Sequence, residues 1–447
     1  MSGKRRWISP QRRQDHKGIQ ILSVSCAFVV KCPPLNQDLG SLGDFKSETN
    51  EEFEMTEKPT RTVYMDHAAT TPVDPRVLEA MLPYFTQKFG NPSSIYALGR
   101  EAAEALDGAH RTVAEILGAQ PRDIIFTSGG SESDNLAIRG CAFAQRKKGK
   151  NHIITSPIEH HAVSHTIEQL VKEFGFEQTV VPVDRYGVVD PAEVERAITE
   201  RTALVSIMYA NNEVGTIEPL PEIAKVTRAK GVPFHTDAVQ AGGSLDLNVE
   251  RLGVDMLSLS AHKFYGPKGV GILYVRRYTP LMPMQTGGGH ERNRRAGTEN
   301  VPYIVGLATA LKLAQEERER NNAYVAGLRD RLVQGILSGI PDVELTGHPT
   351  DRLPGSASFV FHGIEGESIL LNLDIQGVAA SSGSACTSAS LEPSHVLMAM
   401  KLPVEICHGS LRLTLGKDNT AEEVDYVVSI LPPIVEKLRA MSPVYHK

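Results

Sequence analysis

The sequence predicts an α/β fold, with a large domain on a mostly parallel β-sheet and a smaller α+β domain after it. Between residues 74 and 315, short β-branched runs alternate with segments whose apolar residues recur every three or four positions. This alternation is typical of a parallel sheet covered by helices on both faces. After residue 315 comes one long helical pattern and then further strand-like runs. A length of 447 residues accommodates two or three domains.

Composition and charge narrow the class of protein. With 41% hydrophobic and 22% charged residues, the chain is typical of globular proteins and unlike collagenous or disordered ones. Its longest apolar stretch, Ile21–Val30, is shorter than the ~20 residues that a membrane span needs, so we expect no membrane partner. A net charge of −6 disfavours nucleic acid as the main ligand.

The N-terminal region differs from the rest of the chain. Residues 1–14 are basic and carry no acid, and an apolar run follows, as in targeting segments. Pro10 and Asp15 interrupt that pattern, and a second methionine, Met55, precedes the well-patterned sequence. We therefore expect a disordered extension over residues 1–60 and a cytoplasmic location, with organellar targeting as the alternative.

The remaining elements follow in chain order. Six runs are predicted strands of the large domain: 123–127, 152–156, 203–210, 233–238, 256–261 and 271–275. Residues 161–174 and 222–230 are predicted amphipathic helices. In the C-terminal part we predict a helix over 323–337 and strands over 356–361, 377–383 and 410–415. These elements give a large domain over 74–315 and a small domain from 61–73 with 316–447.

Two strand ends carry residues that suit a particular cofactor. Ligands of parallel sheets bind beyond the carboxyl ends of the strands. Lys263 follows the run 256–261, and Asp237 ends the run 233–238, three residues before Gln240. Pyridoxal phosphate needs such a lysine for its aldehyde and such an acid for its pyridine nitrogen. A structural ion pair between the two residues is the alternative interpretation.

Other strand ends could complete this site. The turn around Gly129 and Gly130 lies between a predicted strand and a helix, and helix N-termini bind anions such as phosphate. Asn212 offers an amide near the ring hydroxyl, and His160 offers a flat imidazole for the ring face. His161 and His165 have helical spacing but lack a third metal ligand, so we predict no metal site.

The five cysteines show no C-x-x-C and no zinc-finger spacing, which disfavours a disulfide framework or a structural zinc site. An odd, scattered set fits a reducing compartment. Cys386 lies in a run of small residues, 381–390, which favours an exposed segment and a thiol that collects and delivers sulfur. A packed thiol is the alternative for Cys386, and it is our prediction for Cys141 and Cys407.

Nine ordered motifs carry a family resemblance: MDHAATTP, FGNPSS, TSGGSESDNLAI, EHHAV, NNEVG, HTDAVQ, SAHKFYGPKGVG, GGGHERNRRAGTEN and SSGSACTSASLEPSHVL. From residue 63 to residue 442 the chain resembles the pyridoxal-phosphate-dependent cysteine desulfurases of the iron-sulfur cluster assembly type. The resemblance implies a fold-type I homodimer that converts L-cysteine to L-alanine. It also implies transfer of the sulfur to an enzyme cysteine as a persulfide, for iron-sulfur cluster assembly or tRNA thiolation.

The resemblance also implies a role for each matching residue. Lys263 bonds the cofactor aldehyde, Asp237 pairs with the pyridine nitrogen, and His160 stacks on the ring and moves protons. Cys386 forms the persulfide and could be a transient iron-sulfur ligand. The other implied contacts are Asn212 and Gln240 with the ring oxygen, Gly130, Ser131, Ser260 and His262 with the phosphate, Thr298 with the partner subunit's phosphate, and Arg412 with Asn212 at the substrate carboxylate.

Three other functions remain open from the sequence: another aminotransferase-fold enzyme such as a transaminase, a selenocysteine lyase, and a non-catalytic assembly scaffold. The sulfur acceptor is also open, an iron-sulfur scaffold or another acceptor protein. Members of the family often dock the scaffold through a longer C-terminal tail, whereas this sequence ends at SPVYHK. This difference puts docking of the scaffold through such a tail in doubt.

Overall fold

A computed structural model describes residues 62–383 and 392–445. The predicted extension over residues 1–60 and the predicted nucleophile Cys386 lie outside these ranges. The described residues belong to one compact unit, Lys58–Lys447.

Twelve strands are present in the described ranges. They are β1 (Val63–Tyr64), β2 (Ile124–Thr127), β3 (His152–Thr155), β4 (Glu177–Val180), β5 (Thr202–Ser206), β6 (Phe234–Asp237), β7 (Met256–Ser260), β8 (Gly271–Val275), β9 (Val343–Leu345), β10 (Ser356–Phe361), β11 (Val378–Ala379) and β12 (Ser410–Thr414).

Fourteen α-helices accompany the strands in the same ranges. They are α1 (Pro75–Met81), α2 (Pro83–Thr86), α3 (Ala97–Leu117), α4 (Gly130–Arg146), α5 (His161–Phe174), α6 (Pro191–Ala197), α7 (Leu220–Ala229), α8 (Val249–Leu252), α9 (Val301–Glu316), α10 (Arg318–Gly339), α11 (Gly366–Ile375), α12 (His395–Ala399), α13 (Val404–Cys407) and α14 (Ala421–Met441).

A seven-stranded sheet organises the first part of the chain, in the order β2-β8-β7-β6-β5-β3-β4. β8 runs antiparallel to β2 and β7, and the other neighbours are parallel. The predicted α/β class with a mostly parallel sheet is therefore confirmed. All six predicted strands are present, whereas β4 was missed because its residues are largely exposed and show no apolar run.

Both faces of this sheet are covered, as the β-branched runs predicted. Side chains alternate along a strand, so Ile124 and Phe126 pack into one core while Ile125 packs into another. The first core includes α3 and α9 through Leu117 and Leu307. The second core is closed by apolar residues of α4 and α5. Helices on both faces leave the strand ends as the accessible part of the sheet.

A second sheet, in the antiparallel order β12-β10-β9, organises the C-terminal residues. Phe359 of β10 packs with Leu332 of α10 and Val427 of α14 in a separate core. β1 pairs in parallel with β11, which is shorter than the predicted strand 377–383. The domain boundaries that we set from the sequence stay a prediction. Within the described ranges, no helix combines the length and apolar character needed to cross a bilayer.

Candidate active site

The ends of β6 and β7 bring two predicted residues to the same edge of the large sheet. The two strands are parallel neighbours, with Asp237 opposite Ser258. Asp237 is the last residue of β6, and a 3-10 turn, Ala261–Lys263, follows β7 directly. Parallel strands end at the same edge of a sheet, so Asp237 and Lys263 lie at neighbouring strand ends, as predicted.

Asp237 is a buried carboxyl group that faces positive charge. It is 5% exposed, and its Oδ1 accepts a hydrogen bond from Val239 N at 2.9 Å. Burial raises the pKa of Asp237, and the positive charges of His160 and Lys263 oppose that rise. A carboxylate at this position would be stabilised by those two groups and by the protonated pyridine nitrogen of the predicted cofactor.

The side chain of Lys263 reaches the segment that follows β1. Its Nζ donates hydrogen bonds to the carbonyl oxygens of Ala68 and Ala69, the latter at 2.8 Å. Gln240 Nε2 donates to the same Ala68 oxygen at 3.0 Å. Lys263, Gln240 and Asn212 also line one cavity of about 120 Å³. The structure thus brings these three predicted residues together.

His160 is held in a defined orientation at the start of α5. It is the N-cap residue, and its Nδ1 accepts a hydrogen bond from Ala162 N at 3.0 Å. Because Nδ1 is the acceptor, the proton of the neutral ring lies on Nε2. His160 follows β3 and therefore lies at the same sheet edge as Asp237, and the protonated form of His160 lowers the pKa of Asp237.

The predicted phosphate site lies where β2 passes into α4. Gly130 begins the helix, and a Cβ on it would lie 2.7 Å from Val239 Cγ2 and 3.5 Å from Ser260 Cβ. The turn therefore has no room for a side chain, and it places the helix N-terminus beside Ser260. Ser131, the next residue, is exposed at the first turn of the helix. Free backbone N–H groups and the helix dipole favour an anion at this point.

His262 precedes Lys263 in the sequence and contacts the segment that follows β1. Its Nδ1 is 3.2 Å from Thr70 Oγ1. Burial lowers the pKa of His262 to about 4, and the positive charge of Lys263 acts in the same direction. At neutral pH the ring is therefore uncharged and can offer one N–H donor to a phosphate.

Arg412 has the environment of a carboxylate-binding residue. It is 3% exposed, its Nη1 donates to the Asn212 carbonyl at 3.0 Å, and its Nη2 pairs with Asp66 Oδ1 at 2.8 Å. Its buried Nε has no hydrogen-bond partner among the described residues. This unpaired N–H donor suits a substrate carboxylate, because a guanidinium can bind a carboxylate with two parallel hydrogen bonds.

In the described part of the chain, Thr298 is not joined to this group. Thr298 is exposed, and no hydrogen bond or ion pair described in the chain links it to Gly130 or Ser131. Its loop does approach α4, because Arg295 Nε donates to Glu132 Oε1 at 2.8 Å. Cys386 lies outside the described residues.

Predictions from the sequence also cover two other cysteines, Cys141 and Cys407, and the histidine pair His161 and His165. Cys141 and Cys407 are buried free thiols, as predicted, and burial raises the pKa of both groups, that of Cys141 to about 12. His161 stacks on His165 with ring centroids 4.5 Å apart. Within residues 62–383 and 392–445, no three His, Cys, Asp or Glu side chains are placed to hold a metal ion.

Sequence reasoning missed three carboxyl groups around the site. Asp66 pairs with Arg412, Glu159 accepts from Ser156 Oγ at 2.5 Å, and Glu213 accepts from Ser394 Oγ at 2.5 Å. Each lies within or beside a motif quoted above, in MDHAATTP, EHHAV and NNEVG. The signal was therefore present, but Arg412 and Ser394 lie far from Asp66 and Glu213 in the chain, and only Ser156 is close to its partner.

Comparisons with known proteins agree with this geometry. The family model Aminotransferase class-V matches residues 63–427. Cysteine desulfurase IscS of Methanosarcina thermophila is 54% identical over 398 residues, which cover 89% of this chain and 98% of the relative. Cysteine desulfurase IscS of Clostridium botulinum is 52% identical over 388 residues, 86% of this chain and 97% of the relative.

Solved structures give the same result. A NifS-like protein has a TM-score of 0.79 at 41% identity, with 85% of this chain and 100% of that chain covered. SspA in complex with cysteine has a TM-score of 0.72 at 36% identity, with 80% of this chain and 100% of that chain covered. The chain therefore belongs to the class-V aminotransferase family and, within it, to the pyridoxal-phosphate-dependent cysteine desulfurases of the IscS type.

Proposed function

We propose that the chain binds pyridoxal 5'-phosphate, converts L-cysteine to L-alanine and moves the sulfur to Cys386 as a persulfide. The observation that carries this proposal is the pair Lys263 and Asp237 at neighbouring strand ends, in a chain of the cysteine desulfurase family. The similar protein SspA is in complex with cysteine, which supports L-cysteine as the substrate.

The residues present fit the proposed cofactor. The Gly130 turn places the N-terminus of α4 beside Ser260, where free backbone N–H groups favour an anion. Ser131 and His262 add donors at that end, Asp237 and His160 suit the ring, and Asn212 and Gln240 suit the ring oxygen. Thr298 would contribute from the partner subunit. When bound, pyridoxal phosphate supplies an aldehyde for the substrate amine and a ring that withdraws electrons from the substrate Cα.

The protein side chains divide the proton transfers between them. Asp237 holds a proton on the ring nitrogen, since a carboxylate stabilises that cation. Lys263 Nζ takes the Cα proton and returns a proton to the product. His160 Nδ1 accepts the N-cap hydrogen bond, so Nε2 carries the proton of the neutral ring and exchanges a proton with the substrate thiol.

Substrate orientation depends on Arg412. Its Nε, which has no partner among the described residues, presents a donor to the substrate carboxylate, while Asp66 holds Nη2 and the Asn212 carbonyl holds Nη1. This arrangement favours an amino acid with a free α-carboxylate.

Sulfur transfer balances without an added oxidant or reductant. The Cys386 thiolate attacks the substrate sulfur, an S–S bond forms, and the substrate C–S bond breaks. The electron pair of that C–S bond stays on Cβ, which takes a proton and becomes the methyl group of L-alanine. Sulfur leaves the substrate as part of the Cys386 persulfide, which is then the donor for an acceptor protein.

We also propose a homodimer in the cytoplasm that supplies an iron-sulfur scaffold or a tRNA-thiolation acceptor. A patch of exposed apolar residues at α2 and the start of α3 supports self-association: Phe85, Phe89, Ile95 and Tyr96, of which Ile95 is 90% exposed. Thr298 is exposed and so accessible to a second subunit. An odd, scattered set of cysteines suits a reducing compartment.

The test is to load the purified protein with pyridoxal phosphate, add L-cysteine and measure alanine, keto acid, sulfide and persulfide together. We expect alanine and persulfide in equal initial amounts, and neither product in Lys263→Ala. Release of a keto acid would identify a transaminase, a strong preference for L-selenocysteine without need of Cys386 would identify a selenocysteine lyase, and no turnover would favour a scaffold. Normal turnover by Lys263→Ala would overturn the assignment of this lysine.

A further inference from the structure

The carboxyl group of Glu213 contacts the chain on both sides of the stretch that carries Cys386. Before that stretch, a Cβ on Gly383 would lie 2.6 Å from Glu213 Oε2 and 3.6 Å from Ser394 Cβ. After it, Ser394 Oγ donates a hydrogen bond to the same Oε2 at 2.5 Å. Gly383 and Ser394 are eleven residues apart in sequence but lie side by side at one carboxylate oxygen.

The chain before the stretch is fixed to β12. Ser381 and Arg412 exchange backbone hydrogen bonds, with Ser381 N to Arg412 O at 3.2 Å and Arg412 N to Ser381 O at 2.6 Å. Gly383 then packs against Glu213 so closely that a side chain would collide with it. This end therefore lies beside the proposed carboxylate-binding residue.

The chain after the stretch is held at two points. Ser394 Oγ also caps α12 by accepting from Leu397 N at 3.2 Å. The next residue, His395, donates from Nε2 to the Glu159 carbonyl at 3.1 Å, and its ring lies 4.9 Å from that of His161. Ser394 thus bonds to Glu213, the residue after Asn212. His395 contacts Glu159 and His161, which lie on either side of His160.

Glu213 is well placed to act as a fixed anchor. It is 5% exposed, and its backbone N–H donates to Asn211 Oδ1 at 2.8 Å, which fixes the loop after β5. The groups that face its carboxyl are Ser394, Arg412 of β12 and His160 at the start of α5. Burial raises the pKa of Glu213 to about 7, and these three groups oppose the rise.

We propose that Glu213 is a positioning residue for sulfur transfer, whose carboxylate holds Gly383 and Ser394 together and thereby fixes both ends of the stretch that carries Cys386. The inference rests on the proposed function, because it concerns delivery of Cys386 to the substrate sulfur. Glu213 acts through Gly383 and Ser394 and does not contact the substrate. Ser394 shares the role, because it supplies the hydrogen bond.

The test separates substrate binding from sulfur transfer in Glu213→Ala, Glu213→Gln and Ser394→Ala. With pyridoxal phosphate bound, each variant should keep the absorbance change on adding L-cysteine. Rapid quenching and intact-mass measurement should show the Cys386 persulfide forming about 10- to 100-fold more slowly in Glu213→Ala and Ser394→Ala, the loss typical of a misplaced reacting group. Glu213→Gln keeps an oxygen acceptor for Ser394 Oγ, so its loss should be smaller.

The pH profile gives a readout that a merely structural role would not move. In the parental protein, protonation of Glu213 weakens its bond to Ser394, so persulfide formation should slow as the pH falls below about 7. In Glu213→Gln this component of the profile should be absent, because an amide does not titrate in that range. The groups at Arg412 and His160 are unchanged between the two proteins.

Glu218→Gln is the matched control. Glu218 is also buried, its pKa is also raised by burial to about 8, and it accepts from Val189 N at 2.9 Å, away from Gly383 and Ser394. This variant should form persulfide at the parental rate. If Glu213→Ala fails to fold, Ser394→Ala carries the same test.

A second readout needs no cofactor and no turnover. In the cofactor-free protein, iodoacetamide should label Cys386 faster in Glu213→Ala than in the parental chain, measured by peptide mass spectrometry. Parental rates of both labelling and persulfide formation in folded Glu213→Ala and Ser394→Ala would overturn the inference. Absence of persulfide from the parental protein would overturn the proposed function instead, while the labelling experiment would still decide the role of Glu213.

Discussion

Two carboxyl groups at the edge of the large sheet show how the local environment sets the chemistry of single residues. Asp237 faces the positive charges of His160 and Lys263, which oppose the effect of burial. Glu159 is also buried, and burial raises its pKa to about 8, with a further rise from the negative charge of Asp237. His160 and Lys263 therefore favour the anionic form of Asp237, whereas a pKa of about 8 makes Glu159 the neutral acid at neutral pH.

Asp237→Asn tests the role of that anion. An amide does not stabilise a proton on the ring nitrogen, so we expect removal of the substrate Cα proton to slow by about 100-fold or more. Exchange of the L-alanine Cα proton in deuterated water, followed by NMR, measures this step. Asp255→Asn is a suitable control, since Asp255 is a half-buried acid that accepts a hydrogen bond from Phe234 N at 3.0 Å, before the start of β7. Exchange at the parental rate in cofactor-loaded Asp237→Asn would remove Asp237 from the mechanism.

Glu159→Gln tests the neutral state of the second acid. The pKa of Glu159 is about 8 in the folded protein against 4.5 for an unperturbed glutamate, so the folded state binds the extra proton between those values. Its stabilising contribution is present below pH about 4.5 and is lost as the pH rises through about 8. The glutamine oxygen can still accept from Ser156 Oγ and Met208 N. Between pH about 5.5 and 8.5, the parental protein should therefore lose more unfolding free energy than Glu159→Gln in urea titrations, and equal losses would contradict this protonation state.

At the scale of elements, the turn between β2 and α4 fits the phosphate site because of one glycine. A methyl group at position 130 would lie 2.7 Å from Val239 Cγ2, two residues beyond Asp237. Overpacking of this kind costs typically about 1–3 kcal/mol. The Gly130 turn, at the proposed phosphate site, therefore packs against the segment that follows Asp237, at the proposed site of the pyridine ring.

Gly130→Ala should accordingly weaken binding of pyridoxal phosphate by about 10-fold or more, measured by titrating the cofactor-free protein. Gly327→Ala is the control, because a Cβ on Gly327 in α10 meets nothing within 4 Å. That substitution should leave cofactor affinity unchanged and raise stability by about 0.5–1 kcal/mol, as expected for an alanine inside a helix. Equal cofactor affinity in both variants would mean that Gly130 does not shape the phosphate site.

The elements also show what the sequence could predict. Strand β10 matches its predicted bounds, 356–361, because six consecutive buried residues give a clear signal. Strand β4 was missed, because an exposed strand at the sheet edge has little apolar pattern. The neighbourhood of Asp237 and Lys263 was predictable, since parallel strands end together.

Contacts between distant segments were not predictable. Asp66 and Arg412 are 346 residues apart, and neither residue type indicates the other as its partner. The contact of Glu213 with Gly383 and Ser394 depends on how the loop after β5 meets the segment before α12. No local pattern encodes such a meeting, because it arises only when the two sheets pack.

At the scale of the whole molecule, the exposed patch of Phe85, Phe89, Ile95 and Tyr96 is the surface that we assign to the proposed dimer interface. Ile95→Asp would place a charge in the proposed dimer interface, and burying an unpaired charge is costly. We expect this variant to sediment as a monomer, or as a dimer weakened by at least about 10-fold, in analytical ultracentrifugation. Ile375→Asp, on α11 outside the patch, should remain dimeric. A parental dimer in Ile95→Asp would place the interface elsewhere.

The central claim is that sulfur passes from L-cysteine to Cys386, and intact-mass spectrometry after a brief exposure to L-cysteine tests it most directly. The parental protein loaded with pyridoxal phosphate should gain about 32 Da, one sulfur atom, and release alanine. Cys386→Ala leaves Lys263, Asp237 and Arg412 unchanged, so it should still bind L-cysteine but gain no mass and release little alanine. The buried thiols Cys141 and Cys407 should not substitute for it. A gain of about 32 Da that persists in Cys386→Ala would contradict the account by placing the sulfur on another residue.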